Sequence, residues 1–367
     1  MSTIDVDTLR IWQQEGKPVT VLDVRPASER AEWAIPGSIH IDAYDALQAH
    51  DPHALAHLTL PENIPVVTVC AAGKTSLLAA ALLQAQGIQA FSLEGGMKAW
   101  SLAWNVAEVP GTDGIVHVFQ VRRTGKGCLS YLIGAKDEAF VIDASLDPQV
   151  YLDLALQYGW QITSVFDTHI HADHLSRSLP LARQSGAMLF LPDQQRVSFP
   201  FTAMRDGDTL AMPNLLFKAL HTPGHTPEST SYLLNNRLLF TGDTLFPGSI
   251  GRPDLEADEQ ETQARASALY HSLHKLLSLP PDTLVLPGHS SAPVPFDGIP
   301  IAATLAEIDE RVEIIHATRE AFLQHIMARI PAAPPNYHQI VKLNEMGLLP
   351  ESGVTDLEAG ANRCAIA

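Results

Sequence analysis

Histidines and acidic residues cluster along this chain in a pattern that suits metal chemistry. His169-Ile170-His171-Ala172-Asp173-His174 sets three imidazoles and a carboxylate within six positions, directly after an apolar stretch ending at Thr168. Alternation along an extended segment puts His169 and His171 on one side, and Asp173 and His174 are expected to open a helix. Taken alone, this cluster also fits hydrogen-bonded histidines that cap a helix. Three later residues weigh against that account, each following an apolar run and a tight turn: His225 in Pro223-Gly224-His225-Thr226, Asp243 in Thr241-Gly242-Asp243, and His289 in Pro287-Gly288-His289. Side chains at successive strand ends of one sheet edge can meet at a point, and imidazoles with carboxylates form sites for zinc, iron or manganese. His221, close to His225, is read as a structural neighbour.

A second reactive group is Cys70, which ends the apolar run Val66–Val69 and opens the loop Ala71-Ala72-Gly73-Lys74-Thr75-Ser76. A helix follows, so backbone N–H groups and a helix N-terminus face the sulfur, and Lys74 adds positive charge. These surroundings suit a thiolate nucleophile that accepts a sulfur atom and holds it as a persulfide. For Cys128 and Cys364 no such setting is visible, and packing is the default role.

The elements that must position these groups fall into two patterns. Up to about residue 107, short apolar strands alternate with helical stretches: strands at 19–24, 66–69 and 89–93, helices at 27–33, 77–86 and 98–104. The turn-forming residues 108–114 read as a linker. From 115 to 330, strands are expected near 115–121, 128–133, 138–143, 162–167, 209–211, 215–220, 230–234, 238–241 and 283–286. Helices are expected near 147–158, after Asp173, and around 258–278 and 303–329. Two runs of strands, each closed by helices, make an αββα four-layer sandwich the expected architecture. Residues 331–367, punctuated by Pro and Gly, are expected to pack over the second domain as a tail.

Composition narrows the function classes. The chain has 367 residues, 24 Lys plus Arg and 41 Asp plus Glu, a formal net charge of −17 that repels nucleic acid and anionic lipid. No apolar run approaches the roughly 20 residues of a membrane span, and residues 1–7 lack the features of a secretory signal. Three scattered cysteines are too few for a disulfide framework, which fits a reducing compartment, so a cytoplasmic location is expected. A homo-oligomer is compatible with all of this.

Residues 1–107 resemble a single-domain rhodanese in Leu22-Asp23-Val24-Arg25, Ile35-Pro36-Gly37-Ser38, Cys70 through Ser76, and Glu94-Gly95-Gly96-Met97-Lys98-Ala99-Trp100. The resemblance implies that Cys70 carries sulfur and that the N–H groups of Ala71, Ala72, Gly73, Lys74, Thr75 and Ser76 cradle its persulfide or a bound thiosulfate. Asp23 and Arg25 are then expected to bracket the loop from beneath.

Residues 115–330 resemble the metallo-β-lactamase superfamily in the His-x-His-x-Asp-His motif, the Gly-His-Thr and Gly-Asp turns and the last histidine. Within it, Gly127-Cys128-Leu129-Ser130-Tyr131-Leu132, Gly242-Asp243-Thr244-Leu245-Phe246 and Gly251-Arg252-Pro253-Asp254 are similar to the persulfide dioxygenases. That resemblance implies one Fe(II) per chain held by His169, His225 and Asp243, with His171, Asp173, His174 and His289 as supporting residues. It also implies oxidation by O2 of a thiol persulfide (glutathione, coenzyme A or a similar carrier) to sulfite and free thiol. Arg252 is either an anchor for a substrate carboxylate or a surface arginine in an ion pair. After His289, Ser290-Ser291-Ala292-Pro293 departs from the Asp-Tyr of the glutathione-persulfide members. Together, the resemblances imply a bifunctional enzyme that also transfers sulfur to or from thiosulfate at Cys70. One alternative is a two-zinc thioester hydrolase resembling glyoxalase II, with His169, His171 and His225 on one ion, Asp173, His174 and His289 on the other, and Asp243 bridging. Another is a persulfide carrier or sensor without turnover.

Overall fold

The structure, a computed structural model, describes residues 2–110, 115–212, 214–360 and 362–366. It is α/β throughout: a rhodanese-like α/β domain followed by an αββα sandwich of the metallo-β-lactamase fold. In the first domain five parallel strands stand in the order Thr3–Ile4, Ala90–Leu93, Val66–Val69, Thr20–Asp23 and Ile39–His40. Thr20–Asp23 and Val66–Val69 are buried along their whole length, as parallel strands covered on both faces must be.

In the second domain a seven-stranded sheet, from Thr202–Met204 at one edge to Trp104–Glu108 at the other, faces a six-stranded sheet running from Thr209–Met212 to Ala303–Thr304. Val118, Tyr131, Phe140 and Phe166 of the first sheet interdigitate with Phe217, Tyr232, Phe240 and Leu286 of the second. Helices Pro148–Gln157 and Ser178–Ser185 cover one outer face, and Glu259–Leu277 with Arg319–Ala328 the other. The helix Glu259–Leu277 starts at a capping box between Asp258 and Glu261 and buries Thr262, Ala266, Leu269, Leu273 and Leu276, a spacing of three and four that lays one face on the sheet.

Three expectations need correction. Trp104–Glu108 is no helix end or linker: it pairs antiparallel with Val116–Arg123 as the edge strand of the seven-stranded sheet. The last four residues of the expected linker, 111–114, lie outside the described residues. The stretch 303–329 is broken into Leu305–Arg311, a short 3-10 turn and Arg319–Ala328, because Thr304 and Thr318 each cap a new start. Asp173 and His174 do not open a helix, since helix begins only at Ser178. Residues 169–177 form a loop whose Leu175 and Ser176 N–H groups donate to Glu358 Oε1 (2.7 Å) and Asn344 Oδ1 (2.8 Å).

Those two acceptors belong to the tail, which has its own elements: helices Tyr337–Met346 and Val354–Glu358, and the strand Ala365–Ile366 paired to Ser249–Gly251. The domains also interlock directly. Phe296 of the second packs into the core of the first beside Trp100, the Arg123 Nε donates to the Ser101 carbonyl, and Lys98 forms an ion pair with Asp356 of the tail.

Candidate metal centre and sulfur loop

The ends of Gln161–Phe166, Leu215–His221, Leu238–Gly242 and Leu284–Pro287 bring the motif residues to one buried point. Gly242, at φ +49, makes the turn that presents Asp243, and a Cβ there would collide with the Thr168 side chain. His169, His225 and Asp243 converge as one group. Asp243 Oδ2 lies 3.9 Å from His169 Nε2 and 3.5 Å from His225 Nε2. All three atoms are buried and without a hydrogen-bond partner. Ligand atoms each about 2.1 Å from a common ion lie roughly 3 to 4 Å apart, so this set fits a metal.

Each ligand atom is aimed by a partner on its far side. His225 Nδ1 donates to the Arg252 carbonyl (2.8 Å), so its Nε2 lone pair faces inward. Thr168 Oγ1 donates to Asp143 Oδ2 (2.9 Å) and accepts from His169 Nδ1 (2.9 Å), which sets the same tautomer on His169. His289 spans two carboxylates: Nδ1 meets Asp243 Oδ1 at 2.5 Å, and Nε2 lies 2.7 Å from Asp173 Oδ2. Burial holds the His169 and His225 imidazoles below the ordinary histidine range. Burial would raise the Asp243 carboxyl, but His289, His169 and His225 outweigh it and hold it low. For His289 burial works downward, and Asp173 and Asp243 together push it well above the usual value.

The remaining motif residues form two neighbouring groups. His171 Nε2 is 3.2 Å from Asp143 Oδ1 and groups with Asp143 and Asp167, leaving its Nδ1 without a partner. Asp173, His174 and His289 join Cys128, so this cysteine does more than pack in the core. Burial alone would raise the Cys128 thiol. His174, opposed by Asp173 and aided by Arg123, brings it down to about 6, and His174 is lifted against burial to about 9 by Asp173 and Cys128. His174 Nε2 is also unpartnered. His221 sits apart and exposed, bonded to the Pro227 carbonyl.

Arg252 is not a substrate anchor. Its side chain is wholly buried, and its donors are all engaged, by Asp254 through two bonds and by the carbonyls of Pro331, Ala332 and Arg363. Nor is it a surface arginine: it ties the tail to the Gly251–Asp254 turn. The tail supplies contacts to the centre that no motif announces. Asn344 Nδ2 donates to the carbonyls of His171 and His174, Asn362 Nδ2 donates to Asp173 Oδ2, and Glu358 receives Arg123 and Arg177. Burial would raise Glu358, yet those arginines bring it down to about 2. Cys364 packs beside Asp243 and His289, with its thiol pushed well up by burial. The one available signal was a set of polar residues spaced through an otherwise Pro- and Gly-rich tail.

The sulfur loop is built locally. Cys70 is buried, its Sγ 3.3 Å from Ser76 Oγ, which in turn meets Ser92 Oγ at 2.8 Å. The helix begins at Thr75, two residues before the expected start, and draws Thr75 and Ser76 into its first turn. Met97 and Lys98 N–H groups hold the Cys70 and Ala71 carbonyls, and Gly96, at φ +57, leaves no room for a Cβ against the Cys70 carbonyl. Among the described residues the N–H groups of Ala71, Ala72, Gly73, Lys74, Thr75 and Ser76 donate no backbone hydrogen bond, which leaves them available to an anion. Lys74 is exposed. Asp23 and Arg25 form a fully buried pair (2.7 Å), which holds the Trp33 carbonyl rather than the cysteine loop.

The chain matches two family models, the rhodanese-like domain over residues 5–103 and the metallo-beta-lactamase superfamily over residues 123–289. A hydroxyacylglutathione hydrolase from Rhizobium johnstonii is 36% identical over 151 residues, 40% of this chain and 56% of that protein. The chain thus spans just over half the length of the hydrolases it matches. Among solved structures, a metallo-beta-lactamase from Staphylococcus aureus subsp. aureus COL superposes with a TM-score of 0.59 at 28% identity, over 64% of this chain and 74% of that one. ETHE1 from Myxococcus xanthus gives 0.53 at 30% identity, over 66% of this chain and 98% of that one. Among the described residues no helix is long and apolar enough to cross a membrane. With the buried histidine and aspartate centre in place at its strand ends, the second domain makes this chain a member of the metallo-β-lactamase superfamily, fused to a rhodanese-like domain.

Proposed function

We propose that the protein oxidises a low-molecular-weight persulfide with O2 to sulfite and free thiol, and that Cys70 exchanges sulfane sulfur with thiosulfate. The observation that carries this reading is the trio of buried, unpartnered ligand atoms on His169, His225 and Asp243. Two imidazoles and one carboxylate on one face are the donor set of non-haem iron oxygenases, with positions left open. Iron(II) held there would supply adjacent sites for the persulfide sulfur and dioxygen. The chain contributes orientation: Arg252 and Thr168 fix the imidazoles, and His289 occupies one oxygen of Asp243 so that only the other faces the centre. Burial of every one of these side chains keeps bulk water from competing. One persulfide, one O2 and one water give sulfite, a thiol and two protons. Sulfite that then meets a persulfide on Cys70 takes its outer sulfur, giving thiosulfate and the free cysteine; the reverse step loads Cys70 from thiosulfate. The similarity to ETHE1, nearly end to end in that chain, supports the persulfide reading.

A second reading is favoured by specific observations. The hydrolase-named relatives, and the unpartnered His171 Nδ1 and His174 Nε2, suit a two-zinc thioester hydrolase. Oxygen uptake by iron-loaded protein, with sulfite formed in equal amount, is the expected result. Two zinc ions per chain, thioester hydrolysis and no uptake with any persulfide would replace the first reading with the second.

A further inference from the structure

Next to His289 a cavity of about 400 Å³ opens between the turn joining Leu245–Phe246 to Ser249–Gly251 and the segment that follows the last histidine. His289 and Asn362 line it, and each touches a carboxylate of the centre, Asp243 and Asp173 respectively. The rest of the wall is neutral: the hydroxyls of Ser249, Ser290 and Ser291 with the apolar surfaces of Phe246 and Ile301. The arginines around the centre are committed elsewhere, Arg252 to Asp254 and tail carbonyls, Arg123 and Arg177 to Glu358.

From this lining we infer that the mouth selects persulfides whose carrier part is small and uncharged, bearing hydroxyl or amide groups, over carriers with carboxylates or phosphates. The inference rests on the persulfide-oxidising reading of the same centre. Hydroxyl and amide walls exchange hydrogen bonds with a neutral carrier as readily as water does. Among the described lining residues a carboxylate entering here finds no guanidinium or ammonium to replace its hydration, and the one imidazole, His289, is already spanned by Asp243 and Asp173. A chain with a formal charge of −17 adds long-range repulsion against polyanionic carriers. About 400 Å³ has room for a tripeptide-sized carrier, so against glutathione persulfide it is charge and not size that discriminates.

The test compares oxygen uptake by the iron-reconstituted full chain on 2-hydroxyethyl persulfide, glutathione persulfide and coenzyme A persulfide. The expected kcat/KM is higher by about tenfold for the hydroxyethyl compound at low ionic strength, and the gap narrows in high salt as the repulsion is screened. Equal or better values for either charged carrier overturn the inference and leave the oxidation reading standing. No uptake with all three, alongside thioester hydrolysis, removes both. Ser291→Arg supplies a cation at the mouth and is expected to shift the ratio of the two kcat/KM values toward glutathione persulfide by about tenfold. An unchanged ratio in a folded, iron-loaded variant would place the carrier outside this cavity and also overturn the inference.

Discussion

The two reactive sites are built on opposite plans. The candidate sulfur loop is seven consecutive residues, Cys70 to Ser76, whose shape is held by the Met97 and Lys98 N–H groups on its first two carbonyls. The candidate metal centre gathers side chains from residues 169, 225 and 243, aims them with Thr168, Asp143 and His289, and fastens the loop 169–177 with Asn344 and Glu358. A local site survives distant substitutions because its geometry is stored in a few dihedrals. An assembled site depends on every element that delivers a side chain.

Cys70→Ser puts the strongest test on this contrast. It is expected to abolish thiosulfate sulfurtransfer while leaving persulfide-dependent oxygen uptake within about twofold, because the nucleophile is lost and the metal ligands are untouched. Parallel loss of both activities in a folded variant would show that the sites are not separable. Asp243→Ala should do the converse, lowering bound iron and oxygen uptake by about a hundredfold or more, with sulfurtransfer retained; full iron content would remove Asp243 from the ligand set.

Smaller effects are expected from the tail. Glu358 has a folded value near 2 against an unfolded one near 4.5, so it contributes stability that is complete above the unfolded value and lost as pH falls toward 2. Glu358→Gln is therefore expected to cost on the order of 3 kcal/mol at neutral pH, at about 1.4 kcal/mol per unit, by chemical denaturation. The difference from wild type should shrink between pH 4.5 and 2; a pH-independent difference would mean that the pairs with Arg123 and Arg177 do not carry it. Asn344→Ala leaves one N–H and two carbonyls of the metal loop unpaired and should weaken iron affinity by about tenfold, read by chelator competition, with sulfurtransfer unaltered.

The same contrast explains how much could be read from the chain itself. The sulfur loop was legible almost residue by residue, since strand, loop length and helix lie consecutively in the sequence. The convergence of His169, His225 and Asp243 was legible by residue type and by the strand ends before them, because apolar runs fix where a strand stops. Their supports were not. Arg252 follows a turn in the sequence like a surface residue, and only the folded tail shows its donors buried against the carbonyls of Pro331, Ala332 and Arg363. Cys128 looked like ordinary core until the segment 127–128 met Ser290 and His289 across the sheet end. The false helix start at Asp173 has the same origin: the acceptors for Leu175 and Ser176 lie 183 and 168 residues further on, at Glu358 and Asn344 respectively.

That order along the chain bears on how the protein is made. During synthesis His169, His225, Asp243 and His289 leave the ribosome before Asn344, Glu358 and Asn362 do. The nascent second domain can gather its imidazoles while residues 169–177 are still unfastened, so an ion arriving then meets an open door that the segment carrying Asn344, Glu358 and Asn362 afterwards shuts.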